Sequence, residues 1–257
     1  MSLNAATFIN EYVNFYCLSY KNPERTKSME SRFQSLGIPL IVYDGVQHDD
    51  KRLTNPKLTL GVRRLWSITY GHLDMIQMFL ESGKEFGIFM ENDIVVRKDL
   101  IQKLPNVIEQ INLGGIDFCL LGCMIVHHLT SWTNDYGPKY TKDGGIIYET
   151  NFPHKIYDYP WNQWGVHLYM MTRKGAERIL ETFGHETQYA DKNINNPDKP
   201  FSPDWTISKC PGVSRCLVYP MLAVEDGSDS YEHYADDAQY KFHMDTYKFN
   251  FIDDEFI

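Results

Sequence analysis

The sequence predicts a single α/β domain in which helices flank a mixed β-sheet. Over residues 1–126, buried strand patterns alternate with amphipathic helix patterns, which is typical of parallel β-α-β units. Hairpin and antiparallel patterns follow in the second half, so we expect strands of both directions. The length of 257 residues is enough to bury a core without disulfides, and 43% hydrophobic with 14% aromatic residues is ordinary for a globular chain.

The opening elements form a β-α-β unit. Residues 14–20, NFYCLSY, predict a buried strand that ends at a Lys-Asn-Pro turn. Apolar residues at i, i+4 and i+7, among them Met29 and Phe33, then predict an amphipathic helix. Residues 39–43, PLIVY, predict a second buried strand, which we expect to run parallel to the first with a right-handed crossover.

The middle of the chain continues the alternation. Residues 60–82 carry one apolar helical stripe and predict a long helix. Residues 86–96, FGIFMENDIVV, predict a strand interrupted by three polar residues. Residues 99–113 predict a helix broken at Pro105, and residues 117–126 predict another buried strand.

The second half is less regular. Residues 140–150 predict a hairpin around Asp-Gly-Gly, residues 166–172 a strand, and residues 174–183 a helix. Residues 184–203 form a polar loop that is too long for a simple connector, which favours a functional segment.

Charge and composition exclude several function classes. Twenty-five Lys and Arg against 34 Asp and Glu give a net charge of −9 and a pI near 5.4, so nucleic acid is not an expected partner. The longest apolar stretch, residues 118–126, is about half of the roughly 20 residues that span a bilayer, which predicts no transmembrane segment. Residues 1–11 lack a secretory signal pattern, and we therefore expect a cytoplasmic protein.

The five cysteines predict buried, reduced thiols. They lie mostly in apolar runs, and no pair of them has the C-x2-C spacing of zinc ligands. They are Cys17, Cys119, Cys123, Cys210 and Cys216.

Polar residues directly follow several predicted strands. Tyr20, Asp44 and the Glu91-Asn92-Asp93 segment are placed in this way, and ligands of open α/β sheets bind beyond the carboxyl ends of the strands. Glu91 and Asp93 are i, i+2 residues, so in an extended segment both carboxylates leave one side. Two hard oxygen ligands suit Mn²⁺ or Mg²⁺ bridging a diphosphate, whereas the alternative is a solvated acidic turn.

Short motifs stand in a particular order along almost the whole chain. They are residues 18–25 (LSYKNPER), 71–72 (GH), 90–94 (MENDI), 169–180 (YMMTRKGAERIL) after Trp164, 203–204 (PD), 219–220 (YP) and 228–229 (SD). As an ordered set, they resemble glycosyltransferase family 25, the lipopolysaccharide and collagen galactosyltransferases. The resemblance implies a single domain of GT-A-like, Rossmann-like fold, with residues 1–126 binding the nucleotide sugar and residues 127–257 binding the acceptor.

Four residues depart from the pattern of this family. Asn92 replaces the middle acid of the strand-end motif, Ser67 stands where a glycine is frequent, and Lys21-Asn22 replaces an arginine pair. Loss of the middle acid lowers the charge of the site, while Glu91 and Asp93 keep a D-x-D-like pattern.

The resemblance implies an inverting, metal-dependent transfer of a hexose, galactose or glucose, from a UDP-sugar to a hydroxyl of a glycan, a lipid-linked glycan or a protein. Such a transfer needs a base for the hydroxyl and a cation for the departing diphosphate. Asp93 is the expected ligand of Mn²⁺ (or Mg²⁺), Glu91 a second ligand or a contact to the donor ribose, and His243 a late ligand.

Several other residues have a predicted catalytic or binding role, and for each of them a purely structural role is the alternative. Asp204 is the predicted base, with the N-cap of a helix over residues 205–209 as the alternative, and Asp226 and Asp229 are rival bases. For the donor we expect contacts from Arg25, Tyr20, Asp44 and His72; surface charge, core packing or a satisfied core histidine are the alternatives. Tyr157, Tyr159, Trp161 and Trp164 either offer flat faces to an acceptor sugar or form a satellite core.

Two other function classes compete with the transferase hypothesis. A catalytically silent nucleotide-sugar or carbohydrate-binding protein of the same fold is suggested by Asn92. A glycoside hydrolase with paired carboxylates would have no affinity for nucleotides, and no motif supports it.

Overall fold

A computed structural model describes residues 4–125, 154–159, 163–184, 188–226 and 238–257. The predicted hairpin at residues 140–150, together with Trp161 and Asp229, lies outside these residues. The helices are α1 (Ala5–Tyr12), α2 (Pro23–Ser35), α3 (Leu60–Glu81), α4 (Leu100–Gly114), α5 (Arg173–Phe183), α6 (Gln188–Asn193), α7 (Pro203–Thr206) and α8 (Ala238–Asn250). The strands are β1 (Val13–Ser19), β2 (Leu40–Asp44), β3 (Phe86–Glu91), β4 (Ile94–Val96), β5 (Phe118–Gly122), β6 (Lys155–Asp158), β7 (Leu168–Thr172), β8 (Arg215–Tyr219) and β9 (Ala223–Glu225).

Seven strands form one mixed sheet in the order β2-β1-β3-β7-β5-β8-β6. The β1/β2, β1/β3 and β5/β8 pairs are parallel, while β7 runs antiparallel to both β3 and β5. The predicted mixed α/β class is confirmed. Strand β7, from the second half of the sequence, lies between β3 and β5, which come from the first half.

Side chains that alternate along β1 separate two cores, one on each face of the sheet. Tyr16 and Leu18 pack with the buried face of α3, whereas Phe15 and Cys17 pack with α2 and α4. Because both faces are covered, the central strands are largely apolar and almost wholly buried.

A small second sheet stands at the edge where β3 ends. It pairs β4 with β9 in antiparallel register, with Ile94 opposite Glu225. Gly122 lets the end of β5 approach this sheet, because a Cβ there would lie 2.7 Å from the carbonyl oxygen of Ala223. Residues near the carboxyl terminus add hydrogen bonds between Val96 and Ile257.

Several local predictions differ from the structure. The helix α4 continues through Pro105 instead of breaking, because one lost backbone bond is outweighed by buried residues such as Leu104 and Ile108. The segment 184–203 contains α6 and the first residue of α7 rather than one continuous loop. Helices α1 and α8 and strands β6, β8 and β9 were not predicted.

All five cysteines are buried, and none of them forms a disulfide, as predicted. Burial raises the pKa of the Cys17 thiol to about 12. Within the described ranges, none of the helices has both the length and the apolar character that crossing a bilayer requires.

Candidate functional site

A cleft of about 550 Å³ opens at the carboxyl end of β3. Strand ends, the segment before β7 and two helices contribute to it, which is the position that open α/β sheets use for ligands. Its charged lining consists of Glu91, Asp93, Asp204, Glu225 and His243. Large apolar side chains, namely Leu65, Ile68, Trp164 and Phe242, also line it.

Asp93 stands in the turn between β3 and β4, and several contacts fix this turn. Its carbonyl accepts a hydrogen bond from the amide of Asp226, and its carboxylate lies 3.4 Å from the guanidinium of Arg25. The neighbouring Asn92 donates its side-chain amide to Ser19 Oγ at 2.9 Å. Asn92 therefore ties the turn to the end of β1, and it is not a lining residue of the cleft.

The carboxyl of Asp93 is poorly compensated in this environment. Burial raises its pKa, and the nearby charges of Glu91 and Glu225 raise it further, while Arg25 lowers it. An added cation beside Asp93 would relieve both the repulsion and the desolvation of the charged form.

Glu225 and His243 bring the second half of the chain to the same place. Glu225 ends β9 opposite Ile94, so the register of the small sheet places it beside the Asp93 turn. His243, from α8, makes a short hydrogen bond through Nδ1 to the Glu225 carboxylate. This bond raises the pKa of His243, against the opposing effect of burial.

Asp204 also lines the cleft, in a setting different from that of Asp93. It is the second residue of α7, where Ser202 holds the N-cap position, so the alternative that Asp204 caps a helix over residues 205–209 is wrong. Its Oδ1 instead accepts the backbone amide of Gly165 at 2.9 Å. Burial raises the pKa of Asp204, although the hydrogen bond from Gly165 lowers it.

Gly165 and His167 shape the wall next to Asp204. Gly165 has φ +93°, and a Cβ there would lie 2.6 Å from the His167 ring, so both the conformation and the space require glycine. His167 is buried, its carbonyl accepts the amide of Glu91, and its Nε2 has no hydrogen-bond partner among the described residues.

The structure brings some predicted residues together and leaves others apart. Glu91, Asp93, Asp204 and His243 all line the cleft, and Arg25 reaches it through Asp93. His72 is fully buried behind it, with Nδ1 2.8 Å from Tyr169 Oη and Nε2 3.5 Å from Glu91 Oε1.

Tyr20 and Asp44 are not among the residues that line the cleft. Tyr20 is exposed and carries the ammonium of Lys21 over its ring at 5.0 Å. Asp44 is exposed and lines a separate surface groove with Ser19 and Lys27. Of the rival bases, Asp226 is engaged by Arg32 at 2.7 Å and is not a lining residue of the cleft.

Glu225 and His167 are lining residues that the sequence did not single out. Glu225 follows the apolar run 221–224 just as Glu91 follows the apolar residues of β3, so the same signal was present twice. His167 carried no comparable signal, because its proximity to Glu91 depends on the antiparallel pairing of β7 with β3.

Of the four aromatic residues that were grouped from the sequence, Tyr157 and Tyr159 pack with the apolar core, and Trp161 lies outside the described residues. Tyr159 is partly buried, with its hydroxyl bonded to the Gln163 carbonyl and to Ser208, and Tyr157 is buried. Trp164, by contrast, is 48% exposed at the cleft.

No family model and no curated protein matches the sequence. Solved structures that match include A197 from STIV, with 13% identity, 80% of this chain and 81% of that chain covered, and a TM-score of 0.39. Another is a glycosyltransferase involved in the glycosylation of the major capsid of PBCV-1, with 11% identity, 86% and 96% covered, and a TM-score of 0.41. Likenesses this distant add nothing to the geometry of the site, and the resemblance to family 25 stays a prediction.

Proposed function

We propose that this protein is a metal-dependent, inverting glycosyltransferase that moves a hexosyl group from a nucleoside diphosphate sugar to an acceptor hydroxyl. The observation that supports it is the presence, in one cleft, of a crowded acidic cluster and of a further buried carboxylate that accepts a backbone hydrogen bond. The cluster of Glu91, Asp93 and Glu225 suits a cation with a diphosphate, and Asp204 suits the removal of a proton.

The donor set fits a divalent cation in its chemistry. Carboxylate oxygens are the ligands that Mn²⁺ and Mg²⁺ prefer, and Asp93 with Glu91 would hold the ion. His243, the third ligand expected from the sequence, bonds to Glu225 through Nδ1. Among the described residues, no three acidic, histidine or cysteine side chains form a ready-made metal group. When bound, the ion would neutralise charge that develops on the departing diphosphate.

Asp204 has the properties of the base. Its Oδ1 is held by the Gly165 amide, which leaves Oδ2 to accept the hydrogen of the acceptor hydroxyl. As the acceptor oxygen bonds to the anomeric carbon, the bond from that carbon to the diphosphate breaks, and the nucleoside diphosphate leaves with the electron pair. Because burial raises the pKa of Asp204, its carboxylate is a stronger base than an exposed aspartate.

The donor and acceptor are proposed from the sequence resemblance alone. We assign a UDP-hexose, galactose or glucose, as donor, and a glycan, lipid-linked glycan or protein as acceptor, as in lipopolysaccharide or collagen galactosylation. The silent-binder alternative rested on Asn92, whose amide bonds to Ser19. The substitution therefore removes no carboxylate from the cleft lining, and we do not favour that alternative.

A thermal-shift panel tests the proposal. UDP-glucose, UDP-galactose, UDP-GlcNAc and GDP-mannose are each added with and without Mn²⁺ to the wild type and to Asp93→Asn. A ligand at about 100 times its Kd stabilises by ~2.7 kcal/mol, which corresponds to a rise in Tm of several degrees. We expect one donor to give this rise only with Mn²⁺, and Asp93→Asn to abolish it.

Asp226→Asn is the matched control. Asp226 has nearly the same exposure as Asp93, 13% against 14%, and is adjacent to the same turn, but it pairs with Arg32 and does not line the cleft. It should lower the Tm of the protein alone and keep the Mn²⁺-dependent shift. Failure of every nucleotide sugar to shift the wild type, with or without Mn²⁺, would refute the proposal.

A further inference from the structure

The apolar rim of the cleft contains unusually exposed side chains. Trp164 is 48% exposed, Leu65 40%, Phe242 38% and Ile68 36%, and all four line the same cleft. Large apolar side chains grouped around polar residues at a cleft are typical of a binding site rather than of scattered surface residues.

Trp164 is held firmly despite its exposure. The Lys209 ammonium lies 3.9 Å from the centroid of its ring, and Lys209 is itself only 5% exposed. The carbonyl of Trp164 accepts hydrogen bonds from Gln163 Nε2 at 2.8 Å and from the Met124 amide at 3.2 Å. The backbone of Trp164 is thus fixed, and the contact with Lys209 restricts its ring, which reduces the conformational freedom lost when a ligand stacks on it.

The position of Trp164 couples it to the proposed base. The next residue, Gly165, donates its amide to Asp204 Oδ1 at 2.9 Å, and Trp164 and Asp204 both line the cleft. His167 also lines this part of the cleft, and its buried Nε2 has no hydrogen-bond partner within the described ranges. One flat apolar surface is thus combined with two groups that bond hydroxyls.

We propose that Trp164 is the platform on which the acceptor of the transferase stacks, and that this acceptor is a pyranose sugar. The inference rests on the proposed function. A pyranose has an apolar face of C–H groups and an edge of hydroxyls, which matches the indole face and the Asp204 and His167 side chains. The nucleotide is assigned to the other wall because its diphosphate belongs with the cation at Asp93.

Saturation-transfer NMR with simple sugars tests the platform. The probes are the methyl glycosides of galactose, glucose, mannose and N-acetylglucosamine, each in both anomeric forms, with the wild type, Trp164→Ala and Trp164→Phe. We expect at least one glycoside to receive saturation, strongest on the C–H groups of one face. Trp164→Ala should weaken its Kd about tenfold, and Trp164→Phe, which keeps an aromatic face, by about threefold or less.

Leu113→Ala is the control, because Leu113 is 53% exposed in α4 and does not line the cleft. It should leave glycoside binding unchanged. Equal circular dichroism spectra of all variants exclude misfolding, and Trp164→Phe serves if Trp164→Ala misfolds. Absence of binding by every glycoside, or binding that Trp164→Ala leaves unchanged, would overturn the platform.

The thermal-shift panel on the same variants separates this inference from the transferase proposal. Trp164→Ala should keep the Mn²⁺-dependent shift by the nucleotide sugar. Loss of that shift would assign Trp164 to the donor base and overturn the inference while the transferase proposal stands. Glycoside binding that depends on Trp164, without any shift by nucleotide sugars in the wild type, would refute the transferase and leave a sugar-binding cleft.

Discussion

The two walls of the cleft handle their negative charge in different ways. On the wall formed by the Asp93 turn and β9, three acids have a basic neighbour: Asp93 faces Arg25, Glu225 bonds to His243, and the nearby Asp226 pairs with Arg32. At Asp93, the charge of Arg25 offsets only part of the effect of burial and of the neighbouring acids. On the wall formed by residues 163–167 and α7, the carboxylate of Asp204 forms no ion pair with any described residue and is held by a single backbone amide.

This difference separates two chemical tasks. Where acids and basic side chains lie close together, a charged ligand can bind by taking the place of one partner in an ion pair. A buried carboxylate without an ion pair keeps a raised pKa and a free oxygen, which are the properties required of a base. In the transfer that we propose, the first wall would hold the leaving group and Asp204 would deprotonate the acceptor.

The largest expected effect comes from removing the charge of the second wall. Asp204→Asn keeps an oxygen for the Gly165 amide but cannot accept a proton, so turnover should fall by about 10²-fold to 10⁴-fold. Release of nucleoside diphosphate measures turnover, with a methyl glycoside or water as acceptor. The Mn²⁺-dependent thermal shift by the donor should persist.

Asp198→Asn, at an exposed position in the loop before α7, provides the matched control and should have wild-type turnover. A variant Asp204→Asn that keeps turnover within about threefold of the wild type would assign the base elsewhere.

A smaller effect is expected on the pH dependence of the stability of the protein. Because burial raises the pKa of Asp204, charging it costs stability at neutral pH, and Asp204→Asn should have a Tm a few degrees higher there. The difference should shrink as pH falls through the raised folded-state pKa and vanish below the ordinary aspartate pKa of 3.8. Scanning calorimetry between pH 7 and pH 3.5 measures it.

Asp50 provides the comparison of opposite sign. Burial opposes its ionisation, but hydrogen bonds from the Arg52 side chain and amide hold its pKa below the usual value. Asp50→Asn should therefore lower the Tm at neutral pH, and its deficit should disappear as pH falls from 3.8 through the lowered folded-state pKa. If the Tm of both variants changed with pH in the same direction, the difference inferred between Asp204, which has no ion pair, and Asp50, which pairs with Arg52, would be wrong.

The smallest expected effect is at Asn92, which lies in the Asp93 turn but does not line the cleft. Since its side chain bonds to Ser19, Asn92→Asp should change the apparent Mn²⁺ affinity, measured by titration in the thermal-shift assay, by less than about threefold. Asn92→Ala should lower stability by about 1 kcal/mol through the lost hydrogen bond. A large gain in affinity with Asn92→Asp would show that the middle position faces the cation.

The predictable parts of the fold and the site depend on local sequence signals. The apolar run of β3 followed by Glu91 and Asp93 predicts both a buried strand and its acidic end, and α3 follows from its periodicity. In contrast, the placement of β7 between β3 and β5 depends on pairing between distant segments, and it is this pairing that brings His167 to Glu91.

Local sequence patterns also could not predict which side chains contact one another at the site. Asp226 and Asp204 both read as plausible bases, but Arg32 engages the former across 194 positions of sequence. Trp164 was grouped with its aromatic neighbours, and only the three-dimensional structure shows that it is exposed at the cleft, with Lys209 over its ring.

The small β4/β9 sheet also bears on the kinetics of folding. Arg97, directly after β4, is tied to Glu255 across 158 positions, and closing so long a loop costs entropy before its contacts are gained. The central sheet pairs β1 with β2 and β3 over much shorter separations, so we expect it to form first. Asp93 and Glu91 would then stay hydrated through most of folding, and the unfavourable transfer of their charges out of water would be confined to the last docking step, when the rest of the core can already support it.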